Sequence, residues 1–323
     1  MLEQFPVNAN DFDGPVLVTG AGGCIGSWVL ALLSRARVPV VAFDLVSDKR
    51  RPSLLLDKST LDGLTWIEGD IAKTEDISNA VENSNAKAII HLAALQVPFC
   101  AADPVGGSRV NVVGTVNVFE AARHNKLKRV TYASSVAAHG TPSDSPFLAT
   151  LYGAYKVCNE AVARVYAQDW GVPSIGLRPS IVYGVGRDQG MSSKPTSALL
   201  AAAAGMEYTV PFSGPMAALH AGEVASAFIK AVSKEGKETS VFDINGVSTS
   251  VEQWVEILHR AQPEARINVE GAALPFPATL SDEPLREFLG DYGKVDLEIG
   301  VNQTLAAFKD LLERGVISID NLS

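Results

Sequence analysis

PVLVTGAGGCIG, residues 15–26, decides how this chain folds. Val16, Leu17 and Val18 predict a short buried strand that runs into a glycine-rich turn and then a helix beginning near Ile25. Gly20, Gly23 and Gly26 stand three apart, and Gly22 adds a fourth residue without a side chain. A strand–turn–helix unit of this kind lets a phosphate approach the backbone, where amide groups at the helix N-terminus stabilise the anion. The spacing is GxxGxxG rather than the commoner GxGxxG of dinucleotide sites, so the turn gains its meaning from the rest of the chain.

Beyond the turn the chain keeps a β–α rhythm. A helix over 27–36 leads to VPVVAFDL (38–45), a second buried strand ending in Asp44, 18 residues beyond Gly26. That is near the distance at which an acidic residue accepts hydrogen bonds from the adenosine ribose of NAD, and its charge would repel a 2′-phosphate. NAD is therefore favoured over NADP. Arg50 and Arg51, close by, are read as a solvated charge pair of the next loop. LTWIEGDI (64–71) gives a third strand ending in Asp70, AKAIIHLAAL (86–95) a fourth, and KRVTYASS (128–135) a fifth after a helix over 110–124. Strands separated by helical stretches predict an α/β fold, a doubly wound parallel Rossmann sheet whose ligands sit at the carboxyl ends of the strands. The glycine turn, Asp44, Asp70, His91–Ala94 and Ser134–Ser135 all fall on that edge.

After a helix over 151–167 and a sixth strand, IGLRPSIVYG (175–184), the composition changes. Helices over 197–205, 223–234, 251–261 and 304–314 are joined by irregular stretches rich in Gly, Pro and Ser, with a seventh strand over 240–245. The expected division is an NAD-binding Rossmann domain (1–178, including the catalytic helix) and a smaller helix-rich C-terminal substrate lobe (179–323), with some chain crossing back to the sheet.

Of the 323 residues, 47% are hydrophobic and 20% charged, as in ordinary globular proteins, and the net charge of −9 argues against nucleic acid or an anionic membrane as partner. MLEQFPVNANDFDG (1–14) has no basic region followed by an apolar one, so no signal peptide is expected. The apolar run 198–204 is too short to span a bilayer. Cys24, Cys100 and Cys158 are widely spaced and odd in number, which indicates reduced thiols in a cytoplasmic protein rather than a disulfide framework or a metal cluster.

The chemistry is concentrated in Tyr152-Gly153-Ala154-Tyr155-Lys156, which sets a phenol and an ammonium four apart, on one face of a helix. A phenol with a pKa of about 10 is a poor base at neutral pH, and an adjacent cation stabilises its phenolate. So tuned, Tyr152 can take a proton from an alcohol while hydride leaves the same carbon for nicotinamide. Ser135, at the end of the fifth strand, can hold the alcohol or carbonyl oxygen.

Together TGAGGCIG (19–26), Asp44, GDI (69–71), HLAA (91–94), NVVGTVNVFEAAR (111–123), YASS (132–135), YGAYK (152–156) and LRPSIVYGVG (177–186) resemble the extended short-chain dehydrogenases/reductases. More narrowly, they resemble the NAD-dependent epimerase/dehydratase family typified by sugar epimerases. The resemblance covers roughly residues 15–235. It implies a catalytic triad of Ser135, Tyr152 and Lys156, with Lys156 also holding the nicotinamide ribose. It implies a pyrophosphate turn of Gly20, Gly23, Cys24, Ile25 and Gly26, a ribose carboxylate at Asp44 and adenine contacts at Asp70 and Ile71. Further cofactor contacts fall on Leu92, Ala93, Ala94, Asn111 and Pro179. Tyr155 faces away from Lys156 on a helix. Substrate contacts are assigned to Gln96, Ser134, His139, Arg187 and Gln189, with Ser192, Ser193 and Lys194 completing a polar grip. The resemblance also implies a homodimer that packs helices 111–124 and 151–167 into a four-helix interface, using Val116, Phe119, Val162, Val165 and Tyr166.

Departures narrow the expected function. Family dehydratases carry an Asp-Glu pair directly after the catalytic Ser/Thr, where this chain has Val136 and Ala137, so dehydration is disfavoured. Ala138-His139-Gly140 stands where many members read VYG. Ile181 replaces an Asn common in nucleotide-sugar enzymes, which leaves room for a smaller sugar or a hydroxy acid. The expectation is NAD-dependent hydride transfer at a secondary hydroxyl of a sugar-like small molecule, by a sugar or nucleotide-sugar epimerase working through a keto intermediate. The alternatives are a dehydrogenase of a small sugar, sugar acid or hydroxy acid, and a catalytically silent NAD(H)-binding module.

Overall fold

Short apolar strands alternating with helices build a seven-stranded parallel sheet, seen here in a computed structural model that describes residues 1–139, 149–234 and 239–319. The first half runs β1 (Val16–Thr19), α1 (Cys24–Arg35), β2 (Val40–Asp44), α2 (Lys58–Gly63), β3 (Thr65–Glu68), α3 (Thr74–Ser84) and β4 (Ala88–His91). Next come α4 (Val97–Ala102), α5 (Pro104–Ser108), a π-helical turn (Arg109–Val113), α6 (Gly114–His124), β5 (Val130–Ala133), α7 (Leu151–Trp170) and β6 (Ile175–Pro179). The remainder is β7 (Ile181–Tyr183), α8 (Lys194–Ala203), β8 (Glu207–Val210), β9 (Pro215–His220), α9 (Ala221–Ser233), β10 (Ser240–Ile244), β11 (Val247–Ser250), α10 (Val251–Ala261), β12 (Arg266–Val269), α11 (Glu283–Leu289) and α12 (Leu297–Glu313).

The sheet order is β10-β6-β5-β4-β1-β2-β3, every pair parallel. The order reverses beside β1, whose Thr19 lies level with Phe43 of β2 and His91 of β4. A crevice opens outside the strand ends at such a reversal. Because alternate strand residues face opposite ways, Val16 and Val18 join the core under α1 and α9 with Trp28 and Leu177, whereas Leu17 joins Phe43, Ile77, Phe119 and Tyr132 on the other face.

The sheet is the doubly wound one expected, and β10 returns to it beside β6. The substrate side differs from expectation. The sixth strand breaks at Ser180: β6 stays in the main sheet, while β7 pairs with β9, which pairs with β11, in a separate three-stranded sheet. β8 and β12 form a two-stranded pair. α12 begins at Leu297 rather than near Thr304, because Asp296 caps it by accepting from the Glu298 and Ile299 amides. β3 ends at Glu68, β4 at His91 and β5 at Ala133, so Asp70, Leu92–Ala94 and Ser134–Ser135 sit in loops just past the strands. Phe119 and Tyr166, expected at a dimer interface, are core residues stacked on each other, with ring centroids 5.2 Å apart. Among the described residues no helix is long and apolar enough to cross a membrane, and no His, Cys, Asp and Glu cluster is disposed to hold a metal. Gly140, one of the family-motif positions, lies outside the described residues.

Candidate active site

The glycine turn owes its shape to close contacts. Gly20 has φ +68°, and a Cβ there would lie 2.6 Å from the Ala93 amide nitrogen; one on Gly26 would lie 2.3 Å from the Gly20 carbonyl. α1 then starts with Gly23 as N-cap, without a side-chain cap and without an acidic residue in its first turn. The positive end of the helix is left open, and Gly22, Gly23, Cys24, Ile25 and Gly26 line a cavity of about 560 Å³. At the end of β2, Asp44 Oδ2 accepts from the Gly22 amide (2.9 Å) and Oδ1 from the Leu45 amide (2.8 Å). Burial raises its pKa and these two amides oppose the shift. A carboxylate can accept about four hydrogen bonds, so both oxygens can still receive hydroxyl donors. Asp70 and Ile71 line the same cavity. An uncapped helix end for a pyrophosphate and a carboxylate for a ribose diol fit a dinucleotide.

The same cavity reaches Ser135, Tyr152, Lys156, Pro179 and Leu92–Ala94. Lys156 is buried; its Nζ donates to the Ala133 carbonyl (2.6 Å) and stands 5.3 Å from the Tyr152 ring centroid. Burial lowers its pKa to about 8, against the charges of Cys100 and Glu160. Tyr152 is pushed up to about 12 by burial, opposed by the Ser135 hydroxyl and the Arg187 guanidinium. Lys156 stands beside the Tyr152 ring, as the YxxxK spacing expects, and Arg187 is a second cation whose charge lowers the phenol. Arg187 Nη2 donates to Ser192 Oγ (3.2 Å). With its amide turned so that the oxygen faces the guanidinium, the Gln96 side chain accepts from Arg187 Nη1 (3.3 Å) and donates to the Gln189 carbonyl (3.2 Å). Arg187 Nε has no partner, and burial lowers its pKa below the usual guanidinium range. A half-buried guanidinium whose hydrogen-bond partners are all neutral is a site for an anion.

Asn111 and His139 lie outside the cavity lining, and Ser134 lines it with its hydroxyl turned away. Asn111 is buried behind the wall: its amide brackets Leu95, donating to the Leu95 carbonyl (3.0 Å) and accepting from the Leu95 amide (2.8 Å). His139 does not line the cavity; its Nε2 is 2.6 Å from Asp243 Oδ1, which draws the ring to the end of β10. Ser134 lines the cavity, but its hydroxyl turns back to Glu160 Oε1 (2.5 Å), a carboxylate gripped by Arg178 through two bonds (2.7 and 2.6 Å). Of the polar grip, Gln96, Arg187, Gln189 and Ser192 line the cavity and Ser193 and Lys194 do not; Ser193 Oγ donates to the Gly190 carbonyl. Tyr155 points away, its hydroxyl donating to the Pro104 carbonyl (2.8 Å).

Two further cavity residues escape sequence reasoning. Arg50 is indeed exposed, paired with Asp48, but Arg51 is not a solvated loop charge. Arg51 donates to the Gly22 carbonyl (3.1 Å) and to Asp188, a partner 137 residues away that no local pattern announces. Phe276 enters from the stretch between β12 and α11. A second depression, of about 760 Å³, is lined by Pro15, Val38–Val41 and Leu64–Thr65 and by no titratable side chain.

The profile of the NAD dependent epimerase/dehydratase family matches residues 16–245. UDP-glucuronate 4-epimerase 4 of Arabidopsis thaliana is 32% identical over 185 residues, 52% of this chain and 42% of that protein. The chain spans about half the length of the curated relatives it matches, from 40% to 59%. The UDP-glucose 4-epimerase of Thermotoga maritima, solved with UDP-glucose, superposes with a TM-score of 0.80 at 22% identity, covering 92% of this chain and 99% of that one. A partial-consensus L-threonine 3-dehydrogenase does so with the same score, identity and coverage. At that identity these structures speak for the fold. The family profile, extending over well more than half of the chain and across both the glycine turn and the Tyr152–Lys156 helix, settles the kinship: the chain belongs to the NAD dependent epimerase/dehydratase family.

Proposed function

We propose that this chain is an NAD-dependent enzyme that moves hydride at a secondary hydroxyl of a sugar-like substrate, acting as a sugar epimerase. The observation that supports it best is one cavity with an uncapped helix end and Asp44 at one end and Ser135, Tyr152 and Lys156 at the other. Gly20–Gly26 would hold the pyrophosphate, Asp44 the adenosine ribose, Asp70 and Ile71 the adenine side, and Lys156 the second ribose. Bound NAD would supply a hydride acceptor and, when oxidised, a positive ring charge. The chain's part is to hold the substrate oxygen through the Ser135 hydroxyl and to take or return its proton at the Tyr152 phenol. On this reading residues 1–178 hold the cofactor and 179–323 the substrate.

Arg187 narrows the substrate to one bearing an anion, a sugar acid or a phosphorylated sugar, because its guanidinium has only neutral hydrogen-bond partners. The relative named UDP-glucuronate 4-epimerase 4 is in keeping with a sugar acid. A dehydrogenase of such an acid is the second reading, favoured by Ile181 in place of the polar residue of nucleotide-sugar enzymes. The ultraviolet spectrum and nucleotide content of the purified protein separate the two. Stoichiometric NAD retained through purification, with substrate changing and no net NADH, supports the epimerase. NADH appearing only when both NAD and a hydroxy acid are added replaces it by the dehydrogenase. We also propose a homodimer through α7 and the π-helical turn that leads into α6, where Val113, Val157 and Val165 are exposed. Light scattering that gives a monomer mass at micromolar concentration would remove it.

A further inference from the structure

Two loops meet at the glycine-turn end of the cavity. One follows β2 and carries Arg51; the other follows β7 and carries Asp188 next to Arg187. The Arg51 side chain is only 14% exposed. Its Nη1 donates to the Gly22 carbonyl (3.1 Å), and its Nε and Nη2 both reach Asp188 Oδ1 (2.8 and 2.7 Å). Gly22 also gives its amide to Asp44 (2.9 Å), so the turn is held on its N–H by one loop-end charge and on its C=O by another. The β7 loop has three glycines at positive φ, Gly184 (+125°), Gly186 (+86°) and Gly190 (+97°). Those conformations let the loop approach: a Cβ on Gly186 would lie 3.9 Å from Arg51 Cβ and 4.0 Å from Cys24 Cα.

Isolated exposed ion pairs contribute little, whereas removing one partner of a buried pair is strongly destabilising. Arg51–Asp188 lies between these cases, half screened from water and joining segments that nothing local ties together. We infer that Arg51 and Asp188 form a clasp across the cavity whose lifetime sets how long the dinucleotide stays bound, an inference that rests on the NAD-dependent reading. The clasp fixes the phosphate-facing turn through Gly22 and, through the chain next to Asp188, sets Arg187 toward Tyr152. Retained cofactor is what an epimerase requires, since hydride must return to the same substrate; a loosened clasp favours exchange and a dehydrogenase. If Arg51 instead acted on the phosphates directly, Asp188 would compete for it and its removal would strengthen binding.

The test loads the protein with NADH, chases with excess NAD and follows the loss of bound NADH fluorescence for the wild type, R51Q, D188N and the double variant. Each single substitution is expected to speed release roughly three- to tenfold, with the double variant no faster than the faster single one, because both break one interaction. Wild-type release should quicken with salt and that of the variants should not. Unchanged release in both single variants, slower release from D188N, or multiplying effects in the double variant would each overturn the clasp. Wild-type protein that binds no NADH would overturn the NAD-dependent reading as well, whereas wild-type binding with release indifferent to Arg51 and Asp188 overturns the clasp alone.

Discussion

Tyr152 carries the proposed chemistry, and its surroundings make that chemistry demanding. Burial pushes the phenol up to about 12, so little phenolate exists at neutral pH in the nucleotide-free site. The phenolate fraction grows tenfold per pH unit below the pKa, so turnover in the alcohol-oxidising direction should climb over about pH 6–9. A flat profile would take the proton-transfer role away from Tyr152. Tyr152→Phe keeps the ring next to Lys156 and removes only the hydroxyl; kcat should fall about 10²–10⁴-fold with NADH affinity nearly unchanged, as steady-state kinetics and fluorescence titration would show. Arg187→Gln takes the charge from a guanidinium with neutral partners. KM for an anionic substrate should rise about ten- to a hundredfold while that for its neutral analogue stays near wild type. Equal losses for both substrates would show that Arg187 shapes the loop rather than binding an anion.

Elements differ in how plainly the sequence declares them, and the glycine turn is the plainest. Gly26→Ala would press a methyl into the Gly20 carbonyl at 2.3 Å, with Ala21 backbone atoms at 2.9 Å, and no flexible side chain can yield there. The variant should lose measurable NADH binding and melt several degrees lower by calorimetry; wild-type binding would mean that the turn carries no phosphate. The turn and the strands β1, β2 and β4 are legible because a strand buried on both faces is apolar up to its last residue, as in VLVT, VVAFD and AIIH. The small sheets are not. EYTV of β8 and VSTS of β11 are short and half polar, and β7 looks like a continuation of β6 because nothing in LRPSIVYG marks the crossover at Ser180. The triad follows from spacing within one helix plus one strand end. Arg51 with Asp188 and His139 with Asp243 are joined only by tertiary contact, so their pairings, and the removal of His139 from the cavity, could not be read from spacing.

For the whole molecule, four buried groups combine to set how stability depends on pH. Burial lowers both His91 and His220 from 6.5 to about 3, consistent with their Nδ1 atoms already engaged, one with the Thr19 hydroxyl (2.7 Å) and the other accepting from the Gly222 amide (3.2 Å). The unfolded chain therefore takes up two more protons than the folded one below pH 6.5, and stability falls as pH drops. Glu223 acts oppositely. It is fully buried, with Oε2 accepting from the Val295 amide (3.3 Å) and Oε1 without a partner, and burial raises its pKa from 4.5 to about 8. Its contribution is complete below pH 4.5 and is lost as pH rises to about 8. Between 4.5 and 6.5 the two histidines outweigh the one carboxyl, and between 6.5 and 8 Glu223 acts alone. Above that range Lys156, lowered from 10.5 to about 8, adds stability again as its buried charge disappears. The melting temperature should therefore peak near pH 6.5 and decline toward pH 8 by about 2 °C per unit, following about 1.4 kcal/mol for each unit and group. Glu223→Gln, isosteric and unable to ionise, should abolish the decline and steepen the rise between pH 4.5 and 6.5, where nothing then opposes the two histidines. If calorimetry on that variant still shows the fall between pH 6.5 and 8, the charge that opposes folding there belongs to a group other than Glu223.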